Sequence, residues 1–390
     1  MFFKLLKDAL KVKNVRNKIL FTIFIIFVFR VGTHVTVPGI NAESLKQLSD
    51  LPFLNMLNLV SGNAMNNFSI FSMGVSPYIT ASIIVQLLQM DIYPKFVEWG
   101  KQGEVGRRKL NQATRYITLV LAFVQSIGIT ASFNTLSSIS LVKTPNVSTY
   151  LLIGTILTAG SIIVTWLGEQ ITDKGFGNGV SMIIFSGIIA SIPKMFSTIY
   201  EDFFVNVRTG DLTRSYIIVA LLIVVGLAIV FFTTFVQQAE YQIPIQYTKL
   251  VQGAPTSSYL PLKVNPAGVI PVIFASSITT IPSTILPFFS KVTWLSHLQG
   301  LLSYNTPSGM ITYAILIILF SFFYTFVQVN PEKTAENLQK NGSYIPSVRP
   351  GRETEKYMSS LLKRLATIGA VFLAFISLAP IAAQQFMHLT

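Results

Sequence analysis

Apolar stretches of about twenty residues recur along the chain and are separated by shorter polar segments. A helix that crosses about 30 Å of hydrocarbon needs that length. The pattern predicts nine membrane spans, whose edges we expect to hold to within a few residues. The predicted spans are 19–37, 68–91, 116–133, 149–168, 178–199, 215–236, 267–289, 309–329 and 365–388. The sequence therefore predicts an all-α fold, a polytopic bundle of helices in a membrane.

Composition supports the membrane assignment. Of the 390 residues, 51% are hydrophobic and only 12% are charged, and the mean hydropathy is +0.58. Soluble domains carry about twice that charged fraction. The chain contains no cysteine, which excludes disulfides and cysteine-ligated metals. The first 18 residues form a basic amphipathic segment without a small-residue cleavage site, so we expect no cleaved signal peptide.

The basic residues divide unevenly between the two sides of the predicted membrane. If the N-terminus is cytoplasmic, 22 of the 29 Lys and Arg residues lie in cytoplasmic segments and six lie on the opposite side. Cytoplasmic loops are enriched in Lys and Arg, so the bias predicts a cytoplasmic N-terminus. It also explains much of the net charge of +13 without nucleic acid. The remaining basic residue, Arg30, lies inside the first span, where we expect it to snorkel toward the outer interface.

Two of the predicted spans are interrupted. In the second span, 68–91, Gly74 and Pro77 predict a broken helix, because proline removes a backbone donor and glycine tolerates the bend. Ile79 and Ile83 follow on one helical face, and Val180 and Ile184 repeat that spacing in the fifth span. An ordinary kinked span remains the alternative for the second span.

The seventh span is interrupted by Gly268, Pro271 and Pro282, and it carries Ile273. Two broken helices in different halves of the chain fit a repeat architecture, in which the first five spans are echoed by those that follow. The similarity between the halves is too weak in the sequence to support more.

Several loops leave alternatives open. The external loop 38–67 suits a short helix folded back into an aqueous cavity, and it suits a solvated loop nearly as well. The glycines of 169–179 are predicted to form a tight turn, because the strand and the Lys-Ser/Thr pair of a phosphate-binding loop are missing. The basic loop 92–115 obeys the topology rule and could also contact lipid head groups or a partner.

Two cytoplasmic segments are large enough to form a docking surface. Alternation within 237–266, followed by a Gly-Ala-Pro turn, predicts a β-hairpin that projects into the cytoplasm. The segment 330–364 has a helical opening, a Gly-Ser-Tyr-Ile-Pro turn and then an Arg-Pro-Gly-Arg run. Loops of this kind commonly carry binding residues.

The chain lacks the patterns of several function classes. The three histidines fall at span ends or in external loops, far apart in sequence, so metal ligation and Ser-His catalysis are disfavoured. No GxSxG or HExxH motif is present. The interiors of the spans lack the acidic residues that usually mark ion coupling, since Asp91 lies at the end of the second span and Glu169 lies just past the fourth. We therefore expect no catalysis and no cofactor.

Five motifs together carry a resemblance to a known family. They are SIFSMGVSPYITASIIVQLL, KQGEVGRRKLNQATRY, WLGEQIT with GFGNGVSMIIFSGI, YLPLKVNPAGVIPVIFASS and FVQVNPEKTAENLQKNGSYIPSVRPG. The chain resembles bacterial SecY, a family of protein-conducting channels, from the first span to about residue 388. The resemblance implies two pseudo-symmetric halves, 1–200 and 201–390, around a central pore that opens across the membrane and sideways into lipid.

The resemblance also implies roles for individual residues of this sequence. The pore ring would comprise Ile79, Ile83, Ile184 and Ile273. The plug would be about 53–67, with Phe53, Leu54, Leu57, Val60 and Asn66. The lateral gate, between the second and third spans and the seventh and eighth, would include Gln86, Gln125 and Ser277. Cytoplasmic partners would dock at Lys249, Arg349, Arg352, Arg107 and Arg108.

The implied function is a passive channel for secretory and membrane proteins in the bacterial plasma membrane. The implied partners are SecE, SecG, the SecA motor ATPase, the ribosome, signal peptides, nascent polypeptides and membrane lipids, and no DNA. A small-solute secondary transporter is the alternative, since broken helices serve that class too. A membrane enzyme comes third.

Two features depart from the family pattern. The family has ten spans, one more than the nine predicted here, so we expect that the chain is truncated or that a partner supplies the missing volume. The tip of the 237–266 loop offers mainly Lys249, where the family often has several arginines.

Overall fold

A computed structural model describes residues 11–41, 61, 64–89, 93–136, 142, 145–205, 212–247, 257–285 and 306–387. Contacts divide the chain into two compact units. The first unit is Met1–Val207 with Pro287–Phe289, and the second is Arg208–Leu286 with Ser290–Thr390.

The first unit is helical throughout its described part. Its elements are α1 (Lys13–Gly32), α2 (Ser76–Leu88), α3 (Pro94–Lys101), α4 (Gly103–Leu136), α5 (Val147–Lys174) and α6 (Gly179–Tyr200), followed by a π-helical turn at Glu201–Val205. Helix α5 is the centre of this unit, because it packs against α1, α4 and α6. Small residues let these helices approach closely. For example, buried Ser126 of α4 donates a hydrogen bond to the Gly154 carbonyl of α5 over 3.1 Å.

The second unit combines helices with a small sheet. Its elements are α7 (Leu212–Gln238), β1 (Glu240–Tyr247), β2 (Ser257–Lys263), α8 (Ile270–Ile285), α9 (Pro307–Gln328), α10 (Pro331–Lys340), β3 (Ser343–Tyr344) and α11 (Arg352–Met387). Helix α9 packs against α8 and α11. The 18-residue apolar window of α7 has a mean hydropathy of 3.0 and no buried residue, which is typical of a helix that faces lipid.

Each predicted span coincides with a described helix. Six described helices, α4 to α7, α9 and α11, are long and apolar enough to cross a membrane. Helices α2 and α8 are shorter. Each begins after the glycine of its span, and α8 runs through Pro282 to its last described residue, Ile285, so Pro282 does not interrupt the helix as the sequence predicted. Several helices extend beyond the predicted span edges. Helix α4 begins at Gly103, so the basic cluster of the 92–115 loop lies on its first turns. Helix α5 continues past the predicted span edge at 168 and includes Glu169.

The turn predicted between the fourth and fifth spans is confirmed. Helix α5 ends at Lys174, and α6 begins at Gly179. Gly177 has a φ of +74°, a conformation that favours glycine. The side chain of Asn178 then caps α6 by accepting a hydrogen bond from the backbone N–H of Ser181 over 3.2 Å.

The predicted β-hairpin is confirmed, and the structure adds a third strand. Strands β1 and β2 pair antiparallel, from Glu240 with Lys263 to Gln246 with Ser257. Strand β3, from the other large loop, pairs with the end of β1, which gives the order β2-β1-β3. A buried apolar cluster of Ile243, Leu262, Ile345, Met358, Leu362 and Leu365 lies beneath. The two loops therefore form one folded platform.

Candidate pore site

The break in the second span is a run of turns followed by a new helix. Residues 64–75 form turns, and Gly74 has a φ of +52°. Pro77 lies in the first turn of α2, where its missing N–H costs no helical hydrogen bond. The expected interruption is therefore present, but proline starts the helix after the break and does not kink a continuous one.

The segment 64–75 is tied to its surroundings by backbone hydrogen bonds. The N–H of Val37 donates to the Phe68 carbonyl over 3.0 Å, and the N–H of Ile70 donates to the Val35 carbonyl over 2.9 Å. The Ser72 hydroxyl donates to the Ala64 carbonyl over 3.0 Å. These turns therefore have a defined conformation in the unit interior.

The seventh span begins with the same arrangement. Gly268 has a φ of +62°, α8 begins two residues later at Ile270, and Pro271 lies in its first turn. The backbone N–H of Ile273 donates to the Val269 carbonyl over 3.3 Å, and that of Ile79 donates to the Val75 carbonyl over 3.0 Å. Both units therefore contain a helix that starts after a glycine hinge.

The two hinges share a short sequence motif, Gly-Val-x-Pro. They read Gly-Val-Ser-Pro at 74–77 and Gly-Val-Ile-Pro at 268–271. Aligned on the glycines, Ile79 and Ile273 fall at the same position. In this alignment the residues of 76–85 and 270–279 are buried to the same degree at every position but one. The exception is the pair of Ile83, which is buried, and Ser277, which is half-buried. The short shared motif is the signal that could have found this equivalence.

Three of the four predicted ring isoleucines are half-buried within their own units, and the fourth is buried. Ile79 and Ile184 are half-buried and pack against one apolar cluster of the first unit. Ile83, one turn after Ile79, is 4% exposed. Ile273 is half-buried on α8 of the second unit. The first unit thus brings Ile79 and Ile184 onto a common cluster.

Most of the predicted plug lies outside the described residues. This applies to Phe53, Leu54, Leu57 and Val60. Asn66 is described and is half-buried among turns, two residues before the fully buried Phe68. The plug assignment therefore stays a prediction, and the structure defines only its connection to α2.

The predicted gate residues lie on helix pairs that pack within each unit. Helix α2, with Gln86, packs against α4, with half-buried Gln125. In the other unit α8, with half-buried Ser277, packs against α9. The amide nitrogen of Gln86 donates to the Ser82 hydroxyl over 3.3 Å, but its buried Oε1 has no hydrogen-bond partner among the described residues. A buried oxygen of that kind is uncommon and often functional.

Arg30 has specific partners, in contrast to the solvated head group that snorkelling predicts. Its guanidinium donates to the backbone carbonyls of Ser186, over 2.5 Å, and Gly187, over 3.4 Å. Both carbonyls belong to α6, so the arginine joins α1 to the fifth span. These partners lie more than 150 residues away, and no local pattern around Arg30 indicates them.

A second charged contact joins α4 to α5, the helices of the third and fourth spans. Nε of Arg115 donates to Oε1 of Glu169 over 3.0 Å, and a terminal nitrogen donates to Oε2 over 2.6 Å. This fork geometry is the strong form of an Arg–carboxylate pair. The carboxylate of Glu169 thus has a cationic partner on the neighbouring helix.

The folded platform presents two of the predicted docking residues at its surface. Arg349 and Arg352 are exposed between β3 and the first turn of α11. Arg349 also lines a groove of about 590 Å³ with Ser347, Val348, Glu353, Lys356 and Tyr357. Arg107 and Arg108 are exposed on α4 of the other unit. Lys249 lies outside the described residues.

No group of three or more His, Cys, Asp or Glu residues gathers anywhere in the described ranges. Each unit contains a glycine hinge followed by an isoleucine-bearing helix.

Solved structures with the same overall fold define the class of protein. One is a SecY channel whose plug domain is described as stabilising the closed state and maintaining a membrane seal. It aligns with a TM-score of 0.61 at 15% identity, covering 93% of this chain and 84% of that one. Another is Sec61 in a canine ribosome-channel complex, with a TM-score of 0.57 at 15% identity, covering 95% and 92%. The fold is that of a protein-conducting channel.

Sequence comparison identifies the family. The SecY family model matches residues 69–390. The SecY translocase subunit of Streptococcus gordonii is 71% identical over 394 residues, covering 100% of this chain and 90% of the relative. That of Lactococcus lactis subsp. lactis is 68% identical, covering 99% and 89%. The chain belongs to the SecY family of protein translocase subunits, and it is a multi-pass membrane protein.

Proposed function

We propose that this chain forms a passive pore through which unfolded secretory polypeptides cross the membrane, and from which apolar segments leave sideways into lipid. In this proposal the two units are the two halves of the channel. The single observation that carries it is the repeated hinge, with Ile79 and Ile273 at equivalent positions.

The orientation of the two hinges supports a pseudo-symmetric pore. With a cytoplasmic N-terminus, the second span runs inward and the seventh runs outward. Inverted repeats of this kind are related by an axis in the membrane plane and place their broken helices near the midplane. Ile79 and Ile273 would then meet at the narrowest point, joined by Ile83 and Ile184.

Isoleucine suits a seal that must also let polypeptides pass. Its side chain is apolar and stiff at χ1, and it offers no hydrogen bond. A ring of such residues excludes ions by dewetting. It also binds no particular side chain, so that chains of any sequence can slide through.

A plug at about 53–67 would close the pore on the external side. In its support, the turns at 64–75 connect this segment directly to the hinge and to the isoleucine-bearing helix α2. Movement of the plug would therefore be transmitted to the ring through a short, hydrogen-bonded connection.

The lateral gate would lie between the α2–α4 pair and the α8–α9 pair. Gln86, Gln125 and Ser277 would line it. Separation of two helix pairs, each packed within its own unit, would expose a passing apolar segment to lipid without unfolding either unit. The unpartnered Oε1 of Gln86 suits a contact that changes during opening.

The channel would depend on partners for energy and assembly. We propose the SecA ATPase and the ribosome as driving partners, SecE and SecG as small subunits, and the bacterial plasma membrane as the location. The exposed Arg349 and Arg352, with Arg107 and Arg108, are the docking residues in this proposal. In this proposal the pore itself is passive, and the free energy for transport comes from SecA or the ribosome.

The experiment that tests this function is translocation of a preprotein into vesicles that hold the chain with SecE, driven by SecA and ATP. Protease protection of the preprotein that requires both the chain and ATP supports the channel. Absence of protection, with folded protein in the vesicles, contradicts the channel function and favours the solute-transporter interpretation.

A further inference from the structure

The carbonyl of the first hinge glycine is hydrogen-bonded from another span. The hydroxyl of Ser161, on α5, donates to the Gly74 carbonyl over 3.0 Å. Ser161 is fully buried, and 87 residues separate it from its partner. Because the helix begins only at Ser76, this hydroxyl satisfies a carbonyl left over by the break.

The carbonyl of the second hinge glycine is satisfied locally. The side-chain amide of Asn265 donates to the Gly268 carbonyl over 3.1 Å, across only three residues. Asn265 is 6% exposed, so this donor is also buried. Donor and acceptor belong to the same turn, and they can move together when the hinge moves.

Each hinge packs against a glycine of a neighbouring helix, and the two contacts fall at equivalent positions. A Cβ added to Gly160 of α5 would overlap the carbonyl oxygen of Ile70, four residues before the first hinge glycine. A Cβ added to Gly369 of α11 would lie 3.2 Å from the carbonyl oxygen of Val264, four residues before the second. The two hinges therefore share their packing against a glycine as well as their sequence.

The donor to the hinge glycine carbonyl occupies a different position in each half. The residue after the packing glycine is Ser161 in the first half and buried Ala370 in the second. The residue three before the hinge glycine is Phe71 in the first half and Asn265 in the second. Among the described residues, only the first hinge is joined to a neighbouring span through its glycine carbonyl.

We infer that Ser161 is a positioning residue for gating, and that its bond to Gly74 holds the plug connection 64–75 against α5 in the resting channel. This inference rests on the proposed plug and pore. Displacement of the plug would pull 64–75 away from α5 and break the bond, whereas the Asn265 bond would survive any movement of its own hinge. The first hinge is the one that opens.

The test compares three variants of the full chain, assembled with its partners in membranes. Ser161→Ala removes the inter-span donor, and Asn265→Ala removes the local one. Ser126→Ala is the matched control, because that buried serine also joins a glycine carbonyl of α5 to a neighbouring span. Resting ion conductance and export of a preprotein with a defective signal segment are measured at equal protein levels.

We expect Ser161→Ala alone to raise resting conductance about fivefold, the factor that one net hydrogen bond supplies, and to export the defective preprotein. Equal conductance and export in Ser161→Ala and Ser126→Ala would overturn the inference. If Ser161→Ala does not accumulate, Ser161→Cys keeps the size and weakens the donor, and the same comparison decides. Failure of the unaltered chain to export a normal preprotein would contradict the proposed function instead.

Discussion

The guanidinium of Arg30 lies 2.5 Å from the backbone carbonyl oxygen of Ser186 and joins the first span to the fifth. The bond is charge-assisted and lies within a membrane-spanning region. The arginine therefore fastens α1 to α6, the helix that carries Ile184.

Replacement of Arg30 by methionine should lower the stability of the first unit. A hydrogen bond that involves a charged group contributes about 1.5–3 kcal/mol. Thermal unfolding in detergent measures the change. Arg16→Met is the control, because Arg16 is exposed on the same helix and should leave the midpoint unchanged. Equal midpoints for the two variants would show that the Arg30 contact contributes nothing.

Replacement of Ile79 or Ile273 by asparagine should make the resting channel leak ions. A polar side chain at the narrowest point lets water enter, and water carries ions. Ile79→Leu and Ile273→Leu are the controls, since they conserve volume and apolarity. Conductance across planar bilayers measures the leak. If the asparagine and leucine variants conduct alike, these residues do not form the seal.

The ion pair of Arg115 with Glu169 should stabilise the packing of α4 on α5. The Arg115 side chain is 62% exposed, so we expect a coupling free energy of only about 1 kcal/mol, even with bidentate geometry. A double-mutant cycle with Arg115→Met and Glu169→Gln measures it. Additive effects of the two substitutions would mean that the pair contributes nothing.

Two glycines of apolar helices should respond to alanine in opposite ways. Gly160→Ala should destabilise by about 1–3 kcal/mol, because the added methyl overlaps the Ile70 carbonyl. Gly226→Ala on α7 meets no atom within 4 Å. It should stabilise by up to about 1 kcal/mol through helix propensity. Unfolding midpoints of both variants test the prediction, and a shift of the same sign in each would refute it.

The spans and their breaks could be predicted because their causes are local. A run of apolar residues specifies a membrane helix by its length alone, and glycine followed by proline specifies an interruption by backbone geometry. The hairpin followed from alternation near a Gly-Ala-Pro turn. In each case the decisive residues lie within one segment of the sequence.

The missed features depend on partners that are distant in sequence. Arg30 looked like a snorkelling residue because its carbonyl partners lie on α6, and carbonyls leave no mark in a sequence. The pairing of β3 with β1 was missed for the same reason, since a two-residue strand has no pattern of its own. The hydrogen bond from Ser161 to Gly74 was missed because 87 residues separate the two.

In the proposed channel, a polypeptide in transit passes the isoleucines of the pore ring. The most direct measurement is photo-cross-linking to a translocating chain that has been arrested, with the reactive group at Ile79, Ile184 or Ile273 in turn. Controls carry it at Ile163 and Ile223, which are 46% and 55% exposed on other spans. We predict adducts from the three ring positions and none from the controls. Adducts of equal yield at all five positions, or at the controls alone, would contradict the pore.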